Sequence, residues 1–165
     1  MTNNEQPQSQ ELWGVLISFF THYSYFLSSM NKLPANPPSW RNDTVLPLPM
    51  EVNANAWAVD AACSGNPGPM EDQCIDLQTG AQVFHYGPLH GTNNIGEFLA
   101  IVHALALMEQ RGITDKVIYS DSVNAQLWVQ KKQCKTKLEH NAQTEQLYQI
   151  IARGENWLRT HNITT

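Results

Sequence analysis

Three acidic residues lie where carboxylates could act together. Glu97 follows Gly91-Thr92-Asn93-Asn94-Ile95-Gly96, which places it at the start of an apolar helix, behind two amides and a hydroxyl. Asp60 ends the strand-like run Ala56-Trp57-Ala58-Val59-Asp60, and Asp121 lies in Val117-Ile118-Tyr119-Ser120-Asp121-Ser122, again at a strand end. Carboxylates gathered from two strands and a helix repel one another unless cations sit between them. The pattern therefore asks for divalent metal, and metal beside hydrogen-bonding amides points to phosphate chemistry. Oxygen donors suit hard, octahedral Mg²⁺, with Mn²⁺ as a substitute, whereas imidazole and thiolate would suit zinc. Taken singly, each acid also reads as a solvated strand-end or helix-start residue, and Glu97 would then only favour the helix dipole.

The bulk composition narrows the setting. With 165 residues, 42% of them apolar, the chain can build one packed core. Charged residues make up only 15% and the net charge is −5, which is not the footprint of a protein that grips nucleic acid by charge alone. Bound metal would supply the missing positive charge at a site. Cys63, Cys74 and Cys134 are odd in number and form no Cys-x-x-Cys pair, which favours free thiols in a reducing, cytoplasmic compartment. Cys63, just after Asp60, reads as core or turn packing. The apolar stretch 12–27 follows an acidic, Gln-rich leader, carries Ser18, Thr21, His22 and Ser24, and is shorter than the roughly 20 residues of a membrane helix. His85, His90, His103, His140 and His161 show no ligand spacing.

The elements that must position the acids follow from periodicity. Leu12, Leu16, Phe19, Phe20, Tyr23, Phe26, Leu27 and Met30 predict an amphipathic helix over 12–30, which either packs on the domain or engages a partner or substrate. Pro34, Pro37, Pro38, Pro47 and Pro49 mark a linker, so residues 1–50 read as an N-terminal extension and 51–165 as the globular domain. A strand is expected over 54–62, then a turn at Ser64-Gly65-Asn66-Pro67-Gly68-Pro69, then strands 72–77 and 82–87 joined by Gln78-Thr79-Gly80-Ala81, together an antiparallel meander. Ile95, Phe98, Leu99, Val102, Leu105 and Met108 form the stripe of a helix over 94–111. A short buried strand is expected at 116–120 and a helix at 122–130 with Leu127 and Trp128 inward. A basic loop at 130–137 carries Lys131, Lys132, Lys135 and Lys137, and the last helix, 144–160, buries Leu147, Ile150, Ile151, Gly154, Trp157 and Leu158. The order is mixed α/β.

In these blocks the chain resembles type 1 ribonuclease H. The likeness is carried by Ala58-Val59-Asp60 with Ser64-Gly65-Asn66-Pro67-Gly68, by Gly91-Thr92-Asn93-Asn94-Ile95-Gly96-Glu97, and by Tyr119-Ser120-Asp121-Ser122, in that order. It is nearest the bacterial subgroup whose helix reads like Glu97-Phe98-Leu99-Ala100-Ile101-Val102-His103, and it spans about 54–162. The resemblance implies an RNase H-like fold: a mixed sheet with strands one to three antiparallel, strand four parallel, and helices on both faces. It implies a monomeric, metal-dependent endonuclease that cuts the RNA strand of RNA–DNA hybrids. Asp60 would bridge two metals, Glu97 would lie toward the leaving group, and Asp121 would hold the metal that activates water. Hybrid contacts would come from Ser64, Gly65, Asn66, Asn93, Asn94 and Ser122, and phosphate contacts from Thr92, Asn94, Thr136 and Lys137 beside Lys135. The asparagine amides would read the 2′-hydroxyl that marks RNA. The family also has a fifth strand and a fourth carboxylate after the last helix. Neither occurs in this sequence, so the expectation is a C-terminally incomplete domain with strand 116–120 as an exposed, destabilising edge. Two other functions fit the same blocks: a hybrid-binding module that does not cut, and another nuclease or integrase of the same broad fold.

Overall fold

A computed structural model describes residues 52–163. The expected helix at 12–30 and the Pro-rich linker lie outside the described residues. Contacts divide the chain after Asn53, and the unit Ala54–Thr165 is the one that carries the three acids.

Its elements run β1 (Ala56–Cys63), β2 (Gly68–Asp76), β3 (Gln82–Gly91), α1 (Asn93–Gln110), β4 (Val117–Tyr119), α2 (Val123–Lys131) and α3 (Glu145–Thr160). The sheet order is β3-β2-β1-β4, with β1–β2 and β2–β3 antiparallel and β1–β4 parallel. This is the mixed α/β sheet expected of an RNase H-like fold, with β1 in its interior. β2 and β3 are longer than their apolar runs predict. The Ser64 N–H donates to Pro69 O at 2.9 Å, so the turn closes early and pairing resumes at Cys63↔Met70. β3 pairs on to Gly91 across two register shifts. Pro69, Gly87 and Pro88 hide these extensions from a propensity reading, yet an edge strand such as β3 accommodates proline. At the β2–β3 connection Gly80 has φ +72°, where a side chain would be strained.

The expected stripe of α1 is buried throughout. It packs over β1 and β2 with Trp57, Val59 and Cys74 beneath it and Leu147, Ile151 and Leu158 of α3 alongside. Two expectations need correction. β4 is not a buried strand: Val117 is 37% exposed, and Ile118 and Tyr119 are half-buried, because β4 is the outer strand among the described residues. In α2, Leu127 is 42% exposed, while Ala125 and Val129 are buried. Those two are one helical turn apart and face α1, which turns Leu127 away from it. Trp128 does pack inward, edge-on to Phe98 with centroids 6.2 Å apart.

The far rim of the sheet is closed by polar bonds. Asp76 Oδ1 accepts from the N–H groups of Gln78 and Thr79 at 2.8 and 3.3 Å, and its Oδ2 accepts from Trp57 Nε1 at 3.2 Å. Lys116 Nζ lies 3.6 Å from the same carboxylate and donates to Asn55 Oδ1 at 3.0 Å, tying β1, β2 and the start of β4 together.

Asp72 is the exception within the sheet. It is 4% exposed in β2, and its Oδ1 has no hydrogen-bond partner. Burial pushes its carboxyl up to about 7. The folded chain therefore holds a proton on Asp72 that the unfolded chain releases from about pH 4 upward. Stability from this group is full at low pH and falls as pH rises toward 7, by about 1.4 kcal/mol per pKa unit. Asp72→Asn is expected to flatten that slope and to raise Tm at pH 8 but not at pH 4, measured by thermal melts across pH; an unchanged slope would contradict this.

Candidate metal centre

The strand register brings two of the acids together. Ala58 of β1 pairs in parallel with Tyr119 of β4. Asp60 lies two residues further along β1 and Asp121 two residues past the end of β4, which brings both to the same rim. The third acid comes from α1. Thr92 caps that helix by accepting from Ile95 N–H at 3.4 Å, and Glu97 begins its second turn. Past Ala58, β1 has no β4 partner, and the Ala61 N–H donates instead to Glu97 Oε1 at 3.1 Å. One oxygen from each of Asp60, Glu97 and Asp121 lies within 4.8 Å of the other two.

The three differ in depth: Glu97 is 3% exposed, Asp60 half-buried and Asp121 exposed. Burial, and then the charges of Asp60 and Asp121, push Glu97 up to about 9. Burial also raises Asp60, offset in part by a hydrogen bond with Glu97 and increased by the Asp121 charge. Two such carboxyls hold a proton between them when nothing more positive is present. Glu97 Oε2 is buried with no partner. That orphaned oxygen, beside two further carboxylates and with no nitrogen or sulfur donor in the group, fits a hard divalent cation. It is the one such cluster among the described residues.

Asp121 is framed by its neighbours. The buried Ser120 accepts through Oγ from Ser122 N–H at 3.2 Å, and its carbonyl accepts from Gln126 Nε2 at 2.8 Å. Ser122 then caps α2 through Ala125 N–H at 3.1 Å. Ala61, Ser120 and Gln126 escape the sequence reading. Ala61 acts through its backbone, and Ser120 through a burial that sequence does not show.

The other expected site residues divide into two sets. Ser64, Gly65, Asn66, Asn93 and Asn94 are exposed, and Asn66 Oδ1 accepts a long bond of 3.4 Å from Asn93 N–H, which ties the β1–β2 turn to the start of α1. Cys63 closes the same corner, with its thiol 3.4 Å from Gly91 O and 3.7 Å from Gly68 O; all three cysteines are free. Thr136, Lys135 and Lys137 form the second set. Thr136 Oγ1 accepts from Leu138 N–H at 3.1 Å, and the two lysines are exposed. Among the described residues no hydrogen bond joins this segment to Thr92 or Asn94. The histidines pair locally: His85 with Glu71, His140 with Glu145 and the Tyr148 ring, His103 on Phe84, and His161 on Trp157.

The RNase H family profile matches residues 53–164. This chain belongs to the RNase H family. The matched region contains all three acids and both sets of residues. Solved structures similar to it include an RNase H1 from the halophilic archaeon Halobacterium salinarum, at 22% identity and TM-score 0.38, covering 64% of this chain and 74% of that one. The N-terminal RNase H domain of a Mycobacterium tuberculosis protein, solved as a fusion with maltose-binding protein, matches at 19% identity and TM-score 0.37 over 64% and 79%. An RNase H1 isolated from compost by a metagenomic approach matches at 20% identity and TM-score 0.33 over 66% and 79%. No described helix is long and apolar enough to cross a membrane.

Because Glu97 is raised, it costs stability increasingly as pH climbs from its ordinary range toward 9. Glu97→Gln keeps an acceptor for Ala61 and removes the cost of keeping a buried carboxyl protonated. It is expected to raise Tm in EDTA at pH 8, on the order of 4 °C per kcal/mol relieved. The parent chain is expected to gain Tm with Mg²⁺, and Glu97→Gln to lose that gain. A lower Tm in EDTA would contradict the electrostatic account.

Proposed function

We propose that this RNase H domain hydrolyses the RNA strand of RNA–DNA hybrids, with Asp60, Glu97 and Asp121 holding two Mg²⁺ ions. The observation that carries this reading is the convergence of the three carboxylates within 4.8 Å in the region matched to the family. When bound, Mg²⁺ supplies Lewis-acid charge at a scissile phosphate and lowers the pKa of an attacking water.

The chain's own residues divide the remaining work. Asp60, on the interior strand β1, would be the carboxylate shared between the ions. Glu97, at the floor of the site, contributes the orphaned Oε2, and Asp121 faces the solvent side from which substrate arrives. Asn66, Asn93 and Asn94 offer amides, and Ser64 and Gly65 offer accessible turn groups, for a 2′-hydroxyl in a shallow minor groove. Ser122, at the start of α2, lies beside Asp121 on that approach. Thr92 and Asn94, with Thr136 and Lys137 beside Lys135, contact backbone phosphate, which positions a duplex without reading sequence. Residues 51–165 make up the catalytic domain and residues 1–50 an extension to it. The free thiols support a reducing, cytoplasmic setting, and the chain acts as a monomer.

The test is cleavage of a labelled RNA–DNA hybrid by the full chain. Mg²⁺-dependent cuts confined to the RNA strand are expected. Asp60→Asn should lose several kcal/mol of charge stabilisation, a rate loss on the order of 10²–10⁴. Hybrid binding without cleavage by the parent chain, or unchanged cleavage by Asp60→Asn, would contradict the proposal.

A further inference from the structure

Glycine is unfavourable inside a helix, yet Gly96 lies in α1 immediately before Glu97. Its surroundings explain why it is there. A Cβ at Gly96 would lie 2.8 Å from Ala61 Cβ, 3.0 Å from Met70 Cγ and 3.2 Å from Met70 Sδ. Carbon atoms ordinarily approach to about 3.5–4.0 Å. Met70 is long and can turn aside. The Ala61 methyl cannot, because it is one bond from a backbone held in register with Asp72 of β2. The same Ala61 donates its N–H to Glu97 Oε1. Adjacent residues of α1 therefore meet the two sides of one β1 residue, Gly96 against its methyl and Glu97 on its amide.

We propose that Gly96 is a positioning residue: its bare Cα against the Ala61 methyl sets how deeply α1 seats on β1, and so how far Glu97 reaches toward Asp60. An alanine at 96 lifts the first turns of α1. The 3.1 Å bond from Ala61 N–H is then stretched beyond ordinary hydrogen-bond length, and Glu97 withdraws from the other two carboxylates. The effect falls on metal binding more than on folding, because alanine improves the helix while it spoils the seat. Removing the Ala61 methyl creates the missing space and leaves the Ala61 N–H in place, so Ala61→Gly should rescue Gly96→Ala.

This inference rests on the metal-binding reading of the acids, and calorimetric titration of the full chain with Mg²⁺ separates the two. The parent should bind. Gly96→Ala should bind about tenfold more weakly, and the double variant Ala61→Gly/Gly96→Ala should return to within about threefold of the parent. Gly154→Ala controls for a methyl added elsewhere in the core, since its Cβ would meet only side chains, Val102 Cγ1 at 3.4 Å and Leu99 Cδ2 at 3.9 Å; its affinity should not change. If Gly96→Ala does not fold, the double variant decides: folding with parental affinity supports the proposal, and folding with weakened affinity overturns it. Parental affinity in Gly96→Ala, or weak binding that the double variant does not restore, overturns the positioning role. Failure of the parent to bind overturns the metal reading itself.

Discussion

Ala61 gives its N–H to Glu97 at 3.1 Å, and the acidic centre depends on that bond. A carboxylate on α1 would otherwise turn toward solvent, away from two aspartates that repel it. A hydrogen bond to a charged or charge-sharing group contributes about 1.5–3 kcal/mol, enough to hold one oxygen of Glu97 while the other is left without a partner. The bond exists because β4 is short. Its ladder with β1 ends at Ala58↔Tyr119, and the amide beyond that point is free to meet the helix. A longer β4 would have closed the rim where the three carboxylates now meet.

The two rims of the sheet are built oppositely. At one, Asp76 is fully engaged by Trp57, Lys116 and its own turn, and Arg111 lies 5.8 Å over the Trp57 ring. At the other, three acids face one another with a buried oxygen unsatisfied. The satisfied rim stabilises the frame that holds the strained one. A bound cation would relieve that strain, because a ligand that favours the folded state stabilises it by mass action. Asp72 adds a second buried carboxyl close by in the sheet, but it belongs to no cluster, and its raised pKa is a matter of burial alone rather than of like charge.

The helices among the described residues and the acids were legible in the sequence because both follow from pattern. The α1 stripe from Ile95 to Met108 repeats at helical spacing, and Asp60, Glu97 and Asp121 each follow or sit in a patterned apolar run. The strands were less legible. Pro69 and Pro88 truncate the propensity signal of β2 and β3, although Pro69 pairs with His90 and β3 resumes pairing at Leu89 beyond a shift that skips Gly87 and Pro88. The orientation of α2 was misread at Leu127 because a short helix offers two apolar faces, and only packing against α1 chooses Ala125 and Val129. Asp72 was passed over, since nothing in Glu71-Asp72-Gln73 says which polar residue is enclosed. Ala61 was invisible for a different reason: its contribution is a backbone amide and a methyl, and neither has a chemical signature in the sequence.

The most direct test of the account is a crystal structure of the full chain grown with Mn²⁺, with anomalous scattering used to locate the ions. The account predicts anomalous peaks enclosed by Asp60, Glu97 and Asp121, with Glu97 still accepting from the Ala61 N–H. Carboxylates directed to separate surfaces, with no peak among them, would contradict it.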